Sequence, residues 1–465
     1  MCKTKAWLFI IGFFCSVQIG RAQFDSQSPS SYYGIGNPTA NSLQNGFAMG
    51  GVAHALHDSC FINPTNPASY ASLDVTQLNF GFEGNFLTRN EYGNSFQNNN
   101  LFINQFGIGI PIMHRHKFVN WGMYLGYAPF SQVGYKLTET SQVIINTDTM
   151  QATYNYFGNG GLNQITFGNG FQLGKNFSIG VNLHYLFGTS NRVRTLDIPP
   201  DKGYLSSRIT EKTTVGAFSF DVGMQGFFDF KVWRYARTTD KRDTIRRDKK
   251  PKDYQFTIGA TYTYGASINA GFDQLGVQYL SGNIDVDTFL LNPSSKGNIT
   301  MPHAIGGGIA LSNKRIWTLS ADFNYKFWSG FKYFDQPDLL FNNSYSMHLG
   351  MEYTPYFSDR LTAKKGRFYK NVVYRLGARY YNRYYRPDSK PVDEIAFSFG
   401  FGLPFGFSKT YDEDKGILTV ISYINLGMEA GIANSRGGGL VDESFLRFTL
   451  GLSLRDKWFI KRRYN

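Results

Sequence analysis

Hydrophobic and polar residues alternate strictly along several long stretches of the chain. In one of them, Phe177, Ile179, Val181, Leu183 and Tyr185 are separated by polar or small residues. Successive side chains of a β-strand point to opposite faces, so the pattern predicts strands with one apolar face. The stretches run for roughly ten to fifteen residues, which is typical of strands that cross a membrane and longer than strands of soluble sandwiches. The sequence therefore predicts an all-β fold, a transmembrane antiparallel β-barrel. Comparable stretches cover 218–230, 317–327 and 395–403.

About fourteen strands can be traced in this way, and an even number suits a bacterial barrel with both termini in the periplasm. They begin near residues 74, 101, 118, 162, 176, 213, 252, 303, 315, 345, 371, 394, 416 and 445. The outward connections predicted from this count are long and mostly polar: 89–100, 137–161, 191–212, 269–302, 331–344, 386–393 and 432–444. Three predicted inward connections are also long, at 231–253, 354–370 and 404–415.

The first residues have the features of a secretory signal. Lys3 and Lys5 precede an apolar run, and a small-residue cleavage site precedes Gln23. We predict four parts: a signal peptide (1–22), an N-terminal segment without strand pattern (23–73), the barrel (74–454) and a basic periplasmic extension (455–465). Removal of the signal would leave Cys60 as the single cysteine, so no intramolecular disulfide is expected.

Composition supports a membrane barrel. The chain has 42 Phe, 30 Tyr and 50 Gly, and aromatic residues make up 17% of it. After the signal, no stretch approaches the roughly 18 apolar residues of a transmembrane helix. A chain that crosses lipid without such helices must do so as a closed barrel, which satisfies every backbone polar group. We therefore expect the outer membrane of a diderm bacterium, with lipid and lipopolysaccharide as neighbours.

The N-terminal segment contains a motif of small residues followed by Asn-Pro turns. Ala48-Met49-Gly50-Gly51-Val52-Ala53 leads to Asp58 and then to Asn63-Pro64 and Asn66-Pro67-Ala68. This resembles the start of the FadL/OmpP1 family of outer-membrane transporters for hydrophobic compounds. The resemblance implies a fourteen-stranded barrel with a hatch folded inside the lumen. The candidate hatch residues are Gly50, Gly51, Asp58, Asn63, Pro64, Asn66, Pro67 and Ala68; since there are two Asn-Pro pairs, the register of the hatch turn stays open.

The net charge of +13 is concentrated on the predicted periplasmic side. Ten Lys and Arg face four Asp in 231–253, and the ratio is five to one in both 354–370 and 455–465. A periplasmic location argues against nucleic acid as the partner, whereas an acidic protein partner would fit such a surface. The candidate docking residues are Arg246, Arg247, Lys249, Lys250, Lys364, Lys365, Lys461, Arg462 and Arg463.

Two functions remain open at this point. The first is a FadL-like transporter or channel that binds a hydrophobic small molecule or detergent in apolar lumen pockets. The alternative follows from the resemblance, because FadL-like barrels of the Bacteroidetes include PorV-like and plug-like subunits of the type IX secretion machinery; the plug-like subunit associates with the SprA translocon.

We find no pattern for catalysis, for a cofactor or for a metal. The pair His54 and His57 comes without the cysteines or carboxylates of a closed metal site. No nucleophile motif or phosphate-binding loop is present, so we predict that the protein is not an enzyme.

Overall fold

The computed structural model describes residues 29–39, 44–59, 61–91, 94–113, 119–145, 148–199, 203–232, 235–237, 245–247, 252–280, 284–313, 316–337, 340–355, 369, 371–412, 416–436, 442–456 and 458. Sixteen long β segments build its wall. They are β1 (Thr76–Glu91), β2 (Asn94–Met113), β3 (Val119–Ile145), β4 (Asp148–Leu173), β5 (Phe177–Asp197), β6 (Ser206–Val232), β7 (Lys252–Thr263), β8 (Ser267–Leu280), β9 (Ile284–Thr300), β10 (Ala304–Asn313), β11 (Trp317–Lys326), β12 (Ser344–Tyr353), β13 (Val373–Asn382), β14 (Val392–Asp412), β15 (Gly416–Ser435) and β16 (Asp442–Asp456).

These segments form a closed antiparallel barrel of fourteen wall strands. β7 and β8 follow one another in a single wall strand, because both pair with β6. β9 and β10 likewise form a single wall strand, because β9 pairs with β8 and β10 pairs with β7. Closure is made by β1 and β16, which pair from Thr76 with Asp456 to Arg89 with Glu443. The predicted fold class and strand number are confirmed.

Apolar side chains of the wall point outward and polar side chains point inward. Along β5, Ile179, Leu183 and Tyr185 are exposed, whereas the adjacent Ser178 and Asn182 are fully buried. This arrangement is the reverse of a soluble protein. It is expected when the outer surface faces lipid and the lumen is polar.

Six of the predicted connections are wrong because strand residues make up most of them: 89–100, 137–161, 191–212, 269–302, 404–415 and 432–444. Most of 269–302 belongs to β8 and β9, which extend the wall beyond the barrel end. Most of 404–415 belongs to β14, where a register shift between Pro404 and Gly406 accommodates the proline. Where both faces of a strand meet water, the backbone ladder needs no alternation, so the pattern cannot reveal it.

Short elements complete the described chain. The helical turns are Pro29–Tyr32, Gln44–Phe47, Pro67–Ser72, Trp328–Gly330 and Pro387–Ser389, and the short strands are Asn37–Pro38, Tyr235–Arg237, Ile245–Arg247, Lys332–Tyr333 and Gln336–Pro337. Among the residues that the structure describes, no helix has the length and apolar character required to cross a membrane.

We call the barrel end where β1 begins the terminal end and the opposite one the far end.

Candidate functional site

The segment before the first wall strand lies inside the barrel. We call residues 44–59 and 61–73 the hatch, and residues 31–39 the strap. Hatch side chains such as Met49, Val52, Ile62 and Tyr70 are almost completely buried. Since they are covered by the inner face of the wall, the hatch is packed against the barrel as a domain core is packed.

Gly50 and Gly51 allow the hatch backbone to touch the wall. Both have positive φ angles, of 72° and 89°, which glycine adopts without strain. The Gly50 N–H donates to Ser398 Oγ at 2.8 Å, and its carbonyl accepts from His348 Nδ1 at 2.6 Å. On the wall, Gly377 completes the contact, since a Cβ there would lie 2.0 Å from the Gly50 nitrogen.

This close contact gives a testable prediction. Gly377→Ala should push residues 48–51 away from the wall, because overpacking of this kind costs about 1–3 kcal/mol. We expect amide exchange at 48–51, measured by mass spectrometry, to become at least about fivefold faster. Gly226→Ala is the matched control, since the nearest atom to its Cβ would be 3.9 Å away. Unchanged exchange at 48–51 in Gly377→Ala would show that this contact does not hold the hatch.

Both Asn-Pro pairs take part in the hatch turn. Asn66 caps the helical turn Pro67–Ser72, accepting from the Ala68 N–H at 3.2 Å, while its amide donates to the His54 carbonyl at 2.7 Å. The Asn63 amide donates to the Ala53 carbonyl at 2.5 Å.

Wall and hatch side chains also hold neighbouring residues of the motif. Asn182 donates to the Pro64 carbonyl at 2.9 Å, and Ser72 Oγ donates to the Asp58 carbonyl at 3.2 Å. The two turns therefore act together rather than as alternatives.

A second attachment point was not predicted from the sequence. Asp322 points inward from β11, and its Oδ2 accepts from the backbone N–H groups of Ala53 at 2.5 Å and His54 at 2.8 Å. The His54 ring lies 2.6 Å from Asn324 Oδ1 and 3.1 Å from Thr261 Oγ1. A carboxylate that accepts two buried N–H groups makes strong, charge-assisted bonds.

A cavity of about 400 Å³ lies between the hatch and the wall, and charged side chains line much of it. They come from five neighbouring strands, β13 to β16 and β1, and from the residue just after β13: Glu83, Arg379, Arg383, Glu394, Glu429, Glu443 and Arg447. The apolar lumen pocket that was expected is therefore not what this cavity provides.

The charges of the cavity form one connected network. Arg379 contacts Glu394 at 2.5 Å and Glu429 at 2.9 Å. Arg383 contacts Glu394 at 2.8 Å and Glu443 at 2.9 Å, and Arg447 contacts Glu429 at 3.1 Å. These side chains are mostly buried, so each charge depends on its partners rather than on water.

An apolar region lies nearer the far end of the lumen, and we call it the aromatic cluster. Trp328 stacks on Tyr384 with ring centroids 4.2 Å apart, and Phe331 and Phe341 pack beside them. Ile35 of the strap belongs to the same cluster. Its other buried members are Leu162, Leu186, Val215, Ala266, Ile268, Ala270, Ile299, Met301, Tyr385 and Val392.

The wall is incomplete between β2 and β3, and we call this place the seam. The two strands pair only from Phe106 with Tyr127 to Met113 with Trp121. Within the described chain, residues 94–105 of β2 have no strand partner on the β3 side. Instead, the strap strand Asn37–Pro38 pairs with β3 at Ser131 and Gln132.

Further hydrogen bonds fix the strap along the β3 side of the seam. The Thr39 N–H donates to the Phe130 carbonyl at 3.0 Å, and Ser131 Oγ donates to the Ile35 carbonyl at 2.8 Å. The strap thus runs from the aromatic cluster to the seam and covers the β3 edge there.

The predicted docking residues are only partly within the described chain. Arg246 and Arg247 lie in the short strand Ile245–Arg247, which pairs with Tyr235–Arg237 at the terminal end. Lys249, Lys250, Lys364, Lys365, Lys461, Arg462 and Arg463 lie outside the described residues. In the part of the chain that the structure covers, no group of three or more His, Cys, Asp or Glu residues is placed to hold a metal ion.

Comparison with known proteins identifies a family and a fold. The family model described as BamG matches residues 1–465. Two solved structures share the architecture: the Ralstonia pickettii toluene transporter TbuX, 13% identical with a TM-score of 0.50 over 90% of this chain and 99% of that one, and the P. putida toluene transporter TodX, 12% identical with a TM-score of 0.51 over 90% and 100%. A Pseudomonas aeruginosa FadL homologue is 13% identical over 90% of this chain and 99% of that one, with a TM-score of 0.48. No curated protein matches the sequence. At these identities the structural likeness establishes the FadL-type barrel fold.

Proposed function

This chain belongs to the BamG family, and we propose that it is a FadL-like outer-membrane channel in which hydrophobic small molecules pass sideways through the seam between β2 and β3. The observation that carries the proposal is the seam itself, where the wall lacks half of one strand pairing and the strap strand Asn37–Pro38 pairs with β3 beside the gap. The terminal end then faces the periplasm and the far end faces the exterior.

The straight route along the barrel axis is unsuitable for an apolar molecule. It is blocked by the hatch, whose side chains are buried against the wall. The remaining cavity is lined by Arg379, Glu394 and their charged neighbours. An apolar solute gains nothing from such groups, and it would have to separate them from one another to pass.

The lateral route offers apolar surface at its start and at its exit. A molecule entering from the far end meets the aromatic cluster first, where Trp328 and Phe331 provide rings that suit a flat apolar ligand. Ile35 and Phe130 lead from that cluster to the seam. On the β2 side, Leu101 and Ile103 are exposed on the wall surface, so the molecule can leave directly into lipid.

The two structural relatives support this class of ligand, because both are named as toluene transporters. A monoaromatic hydrocarbon would fit among the rings of the aromatic cluster by stacking and edge contacts. Displacement of the strap strand Asn37–Pro38 is the step that opens the route.

Locking the strap to β3 tests the proposal. Asn37 and Gln132 are cross-strand partners, and such pairs have Cα separations of about 4.5–5.5 Å, which a disulfide accommodates. In a chain with Cys60 replaced by serine, the pair Asn37→Cys and Gln132→Cys should abolish toluene flux into proteoliposomes when oxidised. Reduction should restore the flux.

The matched control is a cysteine pair at Ser312 and Thr318, which face each other across β10 and β11 away from the seam. Oxidation of this pair should leave toluene flux unchanged. Full flux through the oxidised Asn37 and Gln132 variant would rule out the seam as the route. If the unmodified barrel passes neither toluene nor a larger apolar compound, the channel function itself is wrong.

The comparisons give no support to a role in type IX secretion. The named structural relatives are transporters or a FadL homologue. Of the candidate docking residues, Arg246 and Arg247 alone fall within the described chain. The channel is therefore the function that we carry forward.

A further inference from the structure

The wall is also incomplete at a second place, between β6 and β8, and we call this place the cleft. β6 pairs with β8 as far as Val215 with Ala270, and it pairs with β7 again from Asp221 with Thr263. Between these two pairs, residues 216–219 of β6 have no ladder partner on the β8 side within the described chain. At about 3.3 Å per residue, this stretch spans roughly 13 Å.

A bend in the chain between β7 and β8 produces the cleft. The Gly265 N–H donates to His303 Nδ1 at 3.1 Å, and the Ala266 carbonyl accepts from the Met301 N–H at 2.9 Å. Both backbone groups therefore bond to the link between β9 and β10 instead of to β6. Glycine is required at this bend, since a Cβ on Gly265 would lie 2.6 Å from the Met301 carbonyl oxygen. The cleft thus follows from specific contacts of the backbone.

Aromatic rings surround the outer face of the cleft. Phe218 is 77% exposed, and its ring centroid lies 5.0 Å from that of Tyr185. At the edge of the cleft nearer the terminal end, Tyr264 stacks on Phe220 with ring centroids 4.9 Å apart. Outward aromatic residues form belts where a membrane meets water. Since unpaired backbone groups are costly within the hydrocarbon, the cleft is expected at the level of the lipid head groups.

The aromatic cluster lies directly behind the cleft. From the β8 side, Ile268 and Ala270 point inward and are 0% and 4% exposed. From the β6 side, Val215 is buried in the same cluster and Ala217 packs against it. The inner face of the cleft is therefore made of small and aliphatic side chains, which an apolar molecule can pass without separating charges from one another.

We propose that the cleft is an entry port through which flat apolar molecules dissolved in the outer leaflet reach the aromatic cluster. Such molecules prefer lipid to water, so the leaflet holds them at a higher concentration than the medium does. The rings of Phe218 and Tyr185 offer them stacking and edge contacts at the entrance. The seam is then the exit. The inference rests on the channel function proposed above and specifies where the channel takes up its ligand.

Quenching of Trp328 fluorescence in the aromatic cluster tests the entry port. The barrel is placed in lipid vesicles and mixed rapidly with bromobenzene, after phenylalanine has replaced Trp121, Trp233, Trp317 and Trp458. Gly216→Phe adds a ring over the cleft, where the nearest atom to its Cβ would be the Tyr185 hydroxyl oxygen at 3.4 Å. We expect quenching to become at least about fivefold slower. Asn269→Phe, which covers the cleft from the β8 side, should slow it likewise.

Two controls separate the cleft from the seam. Gly226→Phe lies on the same strand away from the cleft, and the nearest atom to its Cβ would be 3.9 Å away, so the quenching rate should not change. The oxidised pair Asn37→Cys and Gln132→Cys should also leave it unchanged, because entry precedes the seam. The port is overturned if Gly216→Phe does not slow quenching, or if either control slows it equally. If Trp328 is not quenched even in the unmodified barrel, the channel function is wrong as well.

Discussion

Asp322→Ala is expected to detach the hatch from β11 and to make the barrel leaky. The carboxylate accepts from two buried N–H groups, those of Ala53 and His54, and its loss leaves both without a partner. An unsatisfied buried donor costs about 1–3 kcal/mol, so the loss of a partner for two donors should weaken the attachment by roughly 2–6 kcal/mol. Amide exchange at residues 53 and 54 should become at least about thirtyfold faster. Ion conductance across a planar bilayer should rise at the same time.

Two controls separate this attachment from general damage. Asp322→Asn keeps an oxygen that can accept from both N–H groups, so we expect it to recover most of the protection. Asp287→Ala removes an exposed carboxylate far from the lumen and should change neither exchange nor conductance. If Asp322→Ala leaves the exchange of residues 53 and 54 as it was, the hatch is held elsewhere.

Glu394→Leu should cause a large loss of stability. Glu394 contacts Arg379 at 2.5 Å and Arg383 at 2.8 Å, and its side chain is 4% exposed. Removing one partner of a buried network leaves uncompensated charge, which costs about 3–5 kcal/mol. The free energy of unfolding, followed by tryptophan fluorescence in urea with the barrel in lipid vesicles, should fall by this amount.

A compensating variant makes this prediction specific to the network. Glu394→Leu combined with Arg379→Met removes both charges of one pair and should be less destabilised than the sum of the single variants. The exposed pair Arg208 and Asp285 is the control, and its removal should cost about 0–1 kcal/mol. Additive losses at Glu394 and Arg379 would show that the two charges do not depend on each other.

Sequence patterns predicted the wall more completely than they predicted the lumen. The alternation in β5 and β11 identified strands and their lipid-facing side chains, because every outward residue at membrane depth must be apolar whatever its neighbours are. Beyond the membrane this requirement ends. The outer parts of β3, β4, β8 and β9 lie there, and the sequence predicted connections where these strands continue.

The hatch shows a similar division. Gly50 and the Asn-Pro pairs could be singled out because backbone geometry restricts those positions to few residue types. In the sequence, Asp322 is one of several polar residues of the alternating stretch 317–327 and nothing distinguishes it from the others. Its bonds to Ala53 and His54 join positions about 270 residues apart, and no local pattern encodes that contact.

The charged network could have been suspected from one neglected signal. Glu83, Arg379, Glu394, Glu429 and Arg447 each occupy an inward position on neighbouring strands. Charged residues at inward positions of consecutive strands are unusual enough to suggest a lumen site. Which carboxylate pairs with which arginine, however, depends on the register between strands. An alternating pattern excludes a shift of the register by one residue but does not exclude a shift by two.

The sequence by itself determined that this chain forms a membrane barrel, roughly how many strands it has and which side chains face lipid. These properties depend on the period of two along each strand and on the solvent outside it. Only the tertiary structure decided where the hatch is attached, which lumen charges pair, and that the wall is open between β2 and β3. Those features arise from the stagger of one strand against another and from the path of residues 31–39, which contacts distant in the sequence determine.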